Sequence, residues 1–97
     1  MKTKMEYHNP VLLKETVEGL NIKPDGIYVD VTFGGGGHSR EIMKHLGPNG
    51  KLFGFDQDKD ALANTIDDER FVLINENFRF IKRFLRFYGV KQVDGIL

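Results

Sequence analysis

The residues Ile27-Tyr28-Val29-Asp30-Val31-Thr32-Phe33, followed by the four glycines Gly34 to Gly37, decide the fold of this chain. The first six are mostly β-branched or aromatic, which predicts a strand over 27–32. Ser39 is a suitable N-cap for a helix over 39–46. Glycines between a strand and a helix permit a sharp turn and a close ligand approach, and the helix amides beyond them favour an anion. The pattern predicts a ligand loop, with a flexible turn that binds nothing as the alternative.

Strand-like and helical segments alternate on both sides of this stretch. Pro10 is suited to open a first helix, and Asp58 to cap a short one. Further strands are predicted over 51–55, 71–74 and 93–97, and a long helix over 78–88. This alternation predicts an α/β fold, with a Rossmann-like parallel sheet and helices on both faces. Ligands of such sheets bind outside the carboxyl ends of the strands, which selects the loops 33–38, 56–58 and 75–78.

Asp56 is the candidate ribose ligand. It ends the second predicted strand about 20 residues after Gly36, the interval expected for an acid that accepts hydrogen bonds from ribose hydroxyls. Two alternatives stay open at this point. Asp56 could instead cap the following helix, and Asp58 competes with it for either role.

The glycine pattern favours S-adenosyl-L-methionine over other adenosine cofactors. A dinucleotide fingerprint needs a third glycine where this chain has Ser39 or Arg40, and a P-loop needs a Lys-Ser or Lys-Thr pair that is absent. S-adenosylmethionine needs only a carboxylate contact, a ribose acid and an adenine pocket. Phe78 is expected to lie against the purine and Asn77 near its edge, with a core position for Phe78 as the alternative. No catalytic role is assigned to the stretch 75–78.

The composition of the chain further narrows the classes of protein to which it could belong. The 97 residues suit one small domain, and the absence of cysteine excludes disulfides and thiolate chemistry. Fourteen basic and fourteen acidic side chains cancel, so net charge does not argue for a nucleic-acid partner. No apolar run approaches the roughly 20 residues that span a bilayer, so we expect a soluble cytoplasmic protein with no metal. Four basic residues on the predicted long helix form either a solvated face or an RNA contact: Arg79, Lys82, Arg83 and Arg86.

Three stretches carry a resemblance to a known family: His8-Asn9-Pro10-Val11-Leu12-Leu13, Gly26-Ile27-Tyr28-Val29-Asp30 and Thr32-Phe33-Gly34-Gly35-Gly36-Gly37-His38-Ser39-Arg40. Together with 55–56 and 93–97, they resemble the ribosomal RNA small subunit methyltransferase H family, also called MraW. The resemblance implies a Rossmann-like class I methyltransferase fold and transfer of a methyl group to a cytosine N4 in small-subunit ribosomal RNA. It also implies cofactor contacts at Gly36, Gly37, His38, Asp56 and Phe78.

The resemblance also implies an organisation for the chain. Residues 1–25 would form an N-terminal helical segment and residues 26–97 a Rossmann-like half of the cofactor domain. An inserted helical domain and the C-terminal half of family members have no counterpart in these residues, so the substrate pocket and catalytic residue are unknown. The fourth strand would then lie at or near an open sheet edge, where strands tend to associate.

Two other classes of function stay open. A Rossmann-type nucleotide-dependent oxidoreductase would share the fold and bind NAD, whereas a non-catalytic module would bind RNA or a protein through the basic helix face. His38 has two interpretations, a general base or a backbone contact to the cofactor carboxylate, and its loop position favours the second. His8 has either a packing or a surface role.

Overall fold

A computed structural model describes residues 10–97. A four-stranded parallel sheet in the order β3-β2-β1-β4 forms its centre. The strands are β1 (Ile27–Asp30), β2 (Lys51–Phe55), β3 (Phe71–Ile74) and β4 (Gly95–Ile96). The helices are α1 (Pro10–Glu18), α2 (Gly37–His45) and α3 (Ile81–Phe87), with short 3₁₀-helices at Lys59–Asn64 and Phe78–Phe80. The predicted α/β fold with a parallel sheet is confirmed. The His8–Asn9 part of the family-like motif lies outside the described residues.

Apolar clusters cover both faces of the sheet, because successive strand residues point to opposite sides. On one face, Tyr28 and Leu52 pack with Val17 of α1 and Ile42 of α2. On the other face, the buried residues Val29, Phe53, Phe55 and Ile74 pack against Ile81, Phe84 and Leu85 of α3. The prediction of helices on both faces is therefore confirmed.

The strand order reverses beside β1. The chain runs outward from β1 to β2 and β3, and then returns to place β4 on the other side of β1. Asp94 sets this pairing, since its backbone amide donates to the carbonyl of Ile27 at 2.7 Å and its carboxylate accepts from the amide of Ile27 at 2.8 Å. β4 is an edge strand of the described sheet, and Ile96 on it is 49% exposed. Self-association through this edge stays a prediction.

Three local boundaries differ from the sequence prediction. β1 ends at Asp30, because the Asp30 side chain turns the chain back at Thr32. α2 begins at Gly37 with Gly36 as its N-cap, so the prediction that Ser39 caps this helix is wrong. The predicted helix over 78–88 is split into a 3₁₀ turn and α3. Asp58 does cap the segment after it, accepting a hydrogen bond from the amide of Asp60 at 2.9 Å.

Arg70 joins the start of β3 to the end of α2. Its guanidinium donates to the carbonyl of Leu46 at 2.7 Å and to the carboxylate of Asp68, also at 2.7 Å. The hydrogen bonds from Arg70 lower the pKa of Asp68 to about 2.

Among residues 10–97, the helices are too short or too polar to cross a membrane.

Candidate functional site

A buried carboxylate organises the glycine loop. Asp30 is fully buried at the end of β1. One of its oxygens accepts from the Thr32 amide at 2.9 Å and the Thr32 hydroxyl at 3.0 Å, and the other accepts from the Ser39 hydroxyl at 2.7 Å. Asp30 thus joins the strand to the first turn of α2, and the loop between them is held at both ends. Ser39 is also fully buried, and this bond satisfies its hydroxyl.

The loop itself needs glycine at two positions. Gly34 has φ 48° and Gly36 has φ 86°. Both values lie in the left-handed region of backbone conformation, which residues other than glycine rarely adopt. The amide of Gly36 donates to the carbonyl of Phe33 at 2.6 Å, which closes the turn before α2. The amides of Gly37 and His38 follow in the first turn of the helix, where no carbonyl within the helix can reach them.

Asp56 lies directly beside this loop. One oxygen of its carboxylate accepts from the Gly34 amide at 2.9 Å, and the other accepts from the Asp58 amide at 2.9 Å. An ionised carboxylate offers about four acceptor positions, so each oxygen keeps capacity for a further donor. The structure therefore brings together the glycine loop and the acid that the sequence analysis paired with it.

Asp56 borders two cavities. One, of about 240 Å³, lies between the glycine loop and the 3₁₀-helix and is lined by Gly34, Asp56, Asp58, Asp60, Ala61 and Asn64. The other, of about 160 Å³, is lined by Phe55, Asp56, Gln57, Glu76, Asn77 and Phe78. Each is smaller than the roughly 300–1,000 Å³ typical of a ligand pocket. The carboxylate thus lies between two smaller compartments, and the three predicted loops meet around it.

Phe78 is one of the residues that line the second cavity. Its side chain is 40% exposed, and its ring meets that of Phe55 edge to face with centroids 6.0 Å apart. Phe78 is therefore held against Phe55 while part of the residue stays accessible. Asn77 beside it accepts from the amide of Arg79 at 2.9 Å and donates to Gln57 at 3.1 Å. The oxygen of Asn77 consequently serves as a helix cap.

Besides Asp30, sequence reasoning missed two more residues that hold the loop. Arg40 donates to the carbonyl of Gly35 and to that of Asn64, both at 2.9 Å. The amide group of Asn64 donates in turn to the carbonyl of Gly34 at 3.2 Å. Asn64 is 24 residues from Arg40 and 30 residues from Gly34 along the chain, so no local pattern could have paired it with either residue. The 3₁₀-helix is thereby tied to the glycine loop.

Two further observations concern His38 and groups of metal-ligating side chains. His38 is half-buried in the first turn of α2. Within the described part of the chain, no group of three or more His, Asp or Glu side chains is arranged to hold a metal ion.

Comparison with known proteins gives a consistent picture. The MraW methylase family model matches residues 5–97. Ribosomal RNA small subunit methyltransferase H of Flavobacterium johnsoniae is 80% identical over 97 residues, covering 100% of this chain and 32% of that protein. The protein of the same name from Bacteroides thetaiotaomicron is 57% identical over 96 residues, covering 99% of this chain and 32% of its own length. The chain thus spans about a third of the length of these relatives.

The fold is shared more widely. The crystal structure of TrmN from Thermus thermophilus matches 90% of this chain and 26% of its own with a TM-score of 0.69. Sequence identity in that match is 22%, so the likeness concerns the fold alone.

Proposed function

Because the chain belongs to the MraW methylase family, we propose that it forms the S-adenosylmethionine-binding part of an enzyme that methylates a cytosine N4 in small-subunit ribosomal RNA. Its cofactor would lie across the carboxyl ends of β1 and β2. Under this proposal residues 1–25 are an N-terminal helical segment, and residues 26–97 are the Rossmann-like half of the cofactor domain. A ribosomal RNA substrate would place the protein in the cytoplasm.

The observation that carries the proposal is the hydrogen bond between the Gly34 amide and the Asp56 carboxylate, at 2.9 Å. It joins the tops of β1 and β2, so that an acid suited to a ribose lies beside main chain suited to a close ligand approach. A Cβ added at Gly35 would meet no atom within 4 Å, so the loop faces open space there. These features fit adenosine bound with its sugar at Asp56.

The remaining contacts follow from the geometry of the loops. The amides of Gly37 and His38 would receive the methionyl carboxylate, since the first turn of a helix favours an anion. Gly36 would let the backbone pass beneath it without a side chain. Phe78 would lie against the adenine on the other side of Asp56, where it lines the second cavity and is 40% exposed.

The chain's part in the reaction is then to bind and orient the cofactor. S-adenosylmethionine, when bound, supplies a methyl group on a sulfonium, which is already strongly electrophilic. The residues named above hold its two ends and limit the positions that the methyl can take, and such positioning accounts for much of a transfer reaction. None of them is proposed to accept the proton that the cytosine amine releases.

Calorimetric titration of the chain with S-adenosylmethionine tests the proposal. Asp56→Ala should weaken binding by at least about 100-fold, because two hydrogen bonds to a charged acceptor, at about 1.5 kcal/mol or more each, would be lost. Asp58→Ala is the matched control, since the Asp58 carboxylate caps the following 3₁₀-helix through the amide of Asp60. Its effect on the affinity should stay under about threefold.

A parallel titration with NAD separates the competing class of function. The amide signals of residues 34–38 should move with S-adenosylmethionine and stay in place with NAD. An unchanged affinity in Asp56→Ala, or tighter binding of NAD, would refute the assignment. An isolated chain that binds neither cofactor but binds RNA would favour the non-catalytic module.

A further inference from the structure

The neutral total charge of the chain hides a strong separation of charge. Residues 79–91 contain five basic side chains and no acid. Residues 56–69, which border the candidate cofactor site, contain six acids and a single lysine. The five basic residues, here called the basic face, are Arg79, Lys82, Arg83, Arg86 and Lys91.

Packing of α3 directs the basic face outward. Its apolar residues Ile81, Phe84 and Leu85 pack against the sheet, and every residue of the basic face is exposed. Within residues 10–97, ion pairs form at Glu41 and at Asp68, both outside this face. Its charges are therefore available to an external anion.

Two features give the basic face a defined shape. The guanidinium groups of Arg79 and Arg83 lie 4.8 Å and 5.2 Å from the centroid of the Phe80 ring, which restricts their orientation. Next to them is a cavity of about 460 Å³, lined by Lys82, Leu85, Arg86, Gly89, Val90 and Lys91. The cavity therefore combines three cations with an apolar floor and has room for a sugar and its phosphate.

We propose that the basic face binds the sugar–phosphate backbone of RNA. This inference rests on the proposed function and adds the surface on which the substrate docks. From Arg79 to Arg86 the face extends about 10 Å along the helix, so its cations can contact more than one phosphate of a strand. Three of its five cations are arginines, whose planar forks suit phosphate oxygens. Arg79 directly follows Phe78, so the bound backbone would begin beside the proposed adenine pocket.

Fluorescence anisotropy with a labelled single-stranded RNA of mixed sequence tests this proposal. The variant Lys82→Gln/Arg83→Gln/Arg86→Gln removes three charges from the basic face. At about 0.7 per contact for a single strand, the slope of log affinity against log salt should fall by about 2. The same relation predicts an affinity about 100-fold lower at 0.1 M salt.

The matched control removes three exposed lysines from other surfaces in the variant Lys14→Gln/Lys23→Gln/Lys59→Gln. It changes net charge equally, and its affinity for RNA should stay within about threefold of the unsubstituted chain. If circular dichroism shows that the first triple variant fails to fold, the single variant Arg83→Gln should still lower the slope by about 0.7.

Equal losses in the two triple variants would overturn the proposal, and so would an unchanged salt slope. Binding of polyglutamate as tightly as RNA would also overturn it, because the face would then be a general polyanion or acidic-protein site. Calorimetry with S-adenosylmethionine on the same variants tests the cofactor site separately from the RNA surface. Cofactor affinity should be unchanged in Lys82→Gln/Arg83→Gln/Arg86→Gln. A loss of RNA binding with retained cofactor binding supports the RNA surface, whereas a chain that never binds the cofactor counts against the proposed function.

Discussion

The buried bond between Asp30 and Ser39 should contribute measurably to the stability of the whole domain. Asp30→Ala removes a carboxylate that accepts three hydrogen bonds, and leaves the fully buried hydroxyl of Ser39 without its acceptor. The exposed Thr32 can turn its hydroxyl to water. The loss of stability therefore comes mainly from the Ser39 hydroxyl and the Thr32 amide, which lose their acceptor.

Its magnitude follows from these bonds. Hydrogen bonds to a charged group contribute about 1.5–3 kcal/mol each, so losing these two in Asp30→Ala should lower the free energy of unfolding by about 3–6 kcal/mol. Ser39→Ala removes one of the donors to Asp30 and should cost about 1.5–3 kcal/mol. Asp30→Asn should be milder, since its oxygen can keep the Thr32 bonds while its amide donates to the Ser39 hydroxyl, which also accepts.

Urea unfolding of the four members of a double-mutant cycle measures the coupling. Adding Ser39→Ala to Asp30→Ala should cost almost nothing, because the hydroxyl no longer has an acceptor there, so the coupling energy should be about 1.5–3 kcal/mol. Asp25→Ala, at an exposed acid, is the control and should change stability by less than about 0.5 kcal/mol. Additive losses from Asp30→Ala and Ser39→Ala would refute the reasoning.

Two further predictions concern backbone strain and pH. Gly36→Ala should destabilise the chain by about 1–2 kcal/mol, because φ at Gly36 is 86° and the new Cβ would meet the Arg40 guanidinium. Gly35→Ala is the control and should leave stability unchanged, because a Cβ at Gly35 would lie in open space. Equal unfolding midpoints in urea for the two variants would contradict this prediction. The pKa of Asp68 is about 2, lowered by hydrogen bonds from Arg70, so its contribution to stability is present above about pH 4 and is lost as pH falls toward 2. The difference in urea midpoint between the unsubstituted chain and Asp68→Asn should therefore shrink between pH 4 and pH 2, and a constant difference would show that the pairing does not stabilise the fold.

Much of the fold was predictable because it depends on short-range pattern. Apolar and β-branched residues in runs such as 27–30 and 51–55 favour strands, and their side chains must alternate between the two faces. The glycine loop and Asp56 were predicted as neighbours because both follow strands of one parallel sheet, where carboxyl ends share an edge. The grouping of four basic residues on one side of the segment 78–88 followed from helical periodicity.

By itself, the sequence determined the class of fold, the two-sided core and the three loops that meet at the site. Only the tertiary structure decided which partners the polar side chains take: Ser39 lies beneath the loop as a donor to Asp30, and Arg40 reaches Gly35 and Asn64. The physical reason is that periodicity is set by sterics within a few residues. Hydrogen-bond partners depend instead on which loops the sheet order brings side by side, and that order is settled only when β4 returns beside β1.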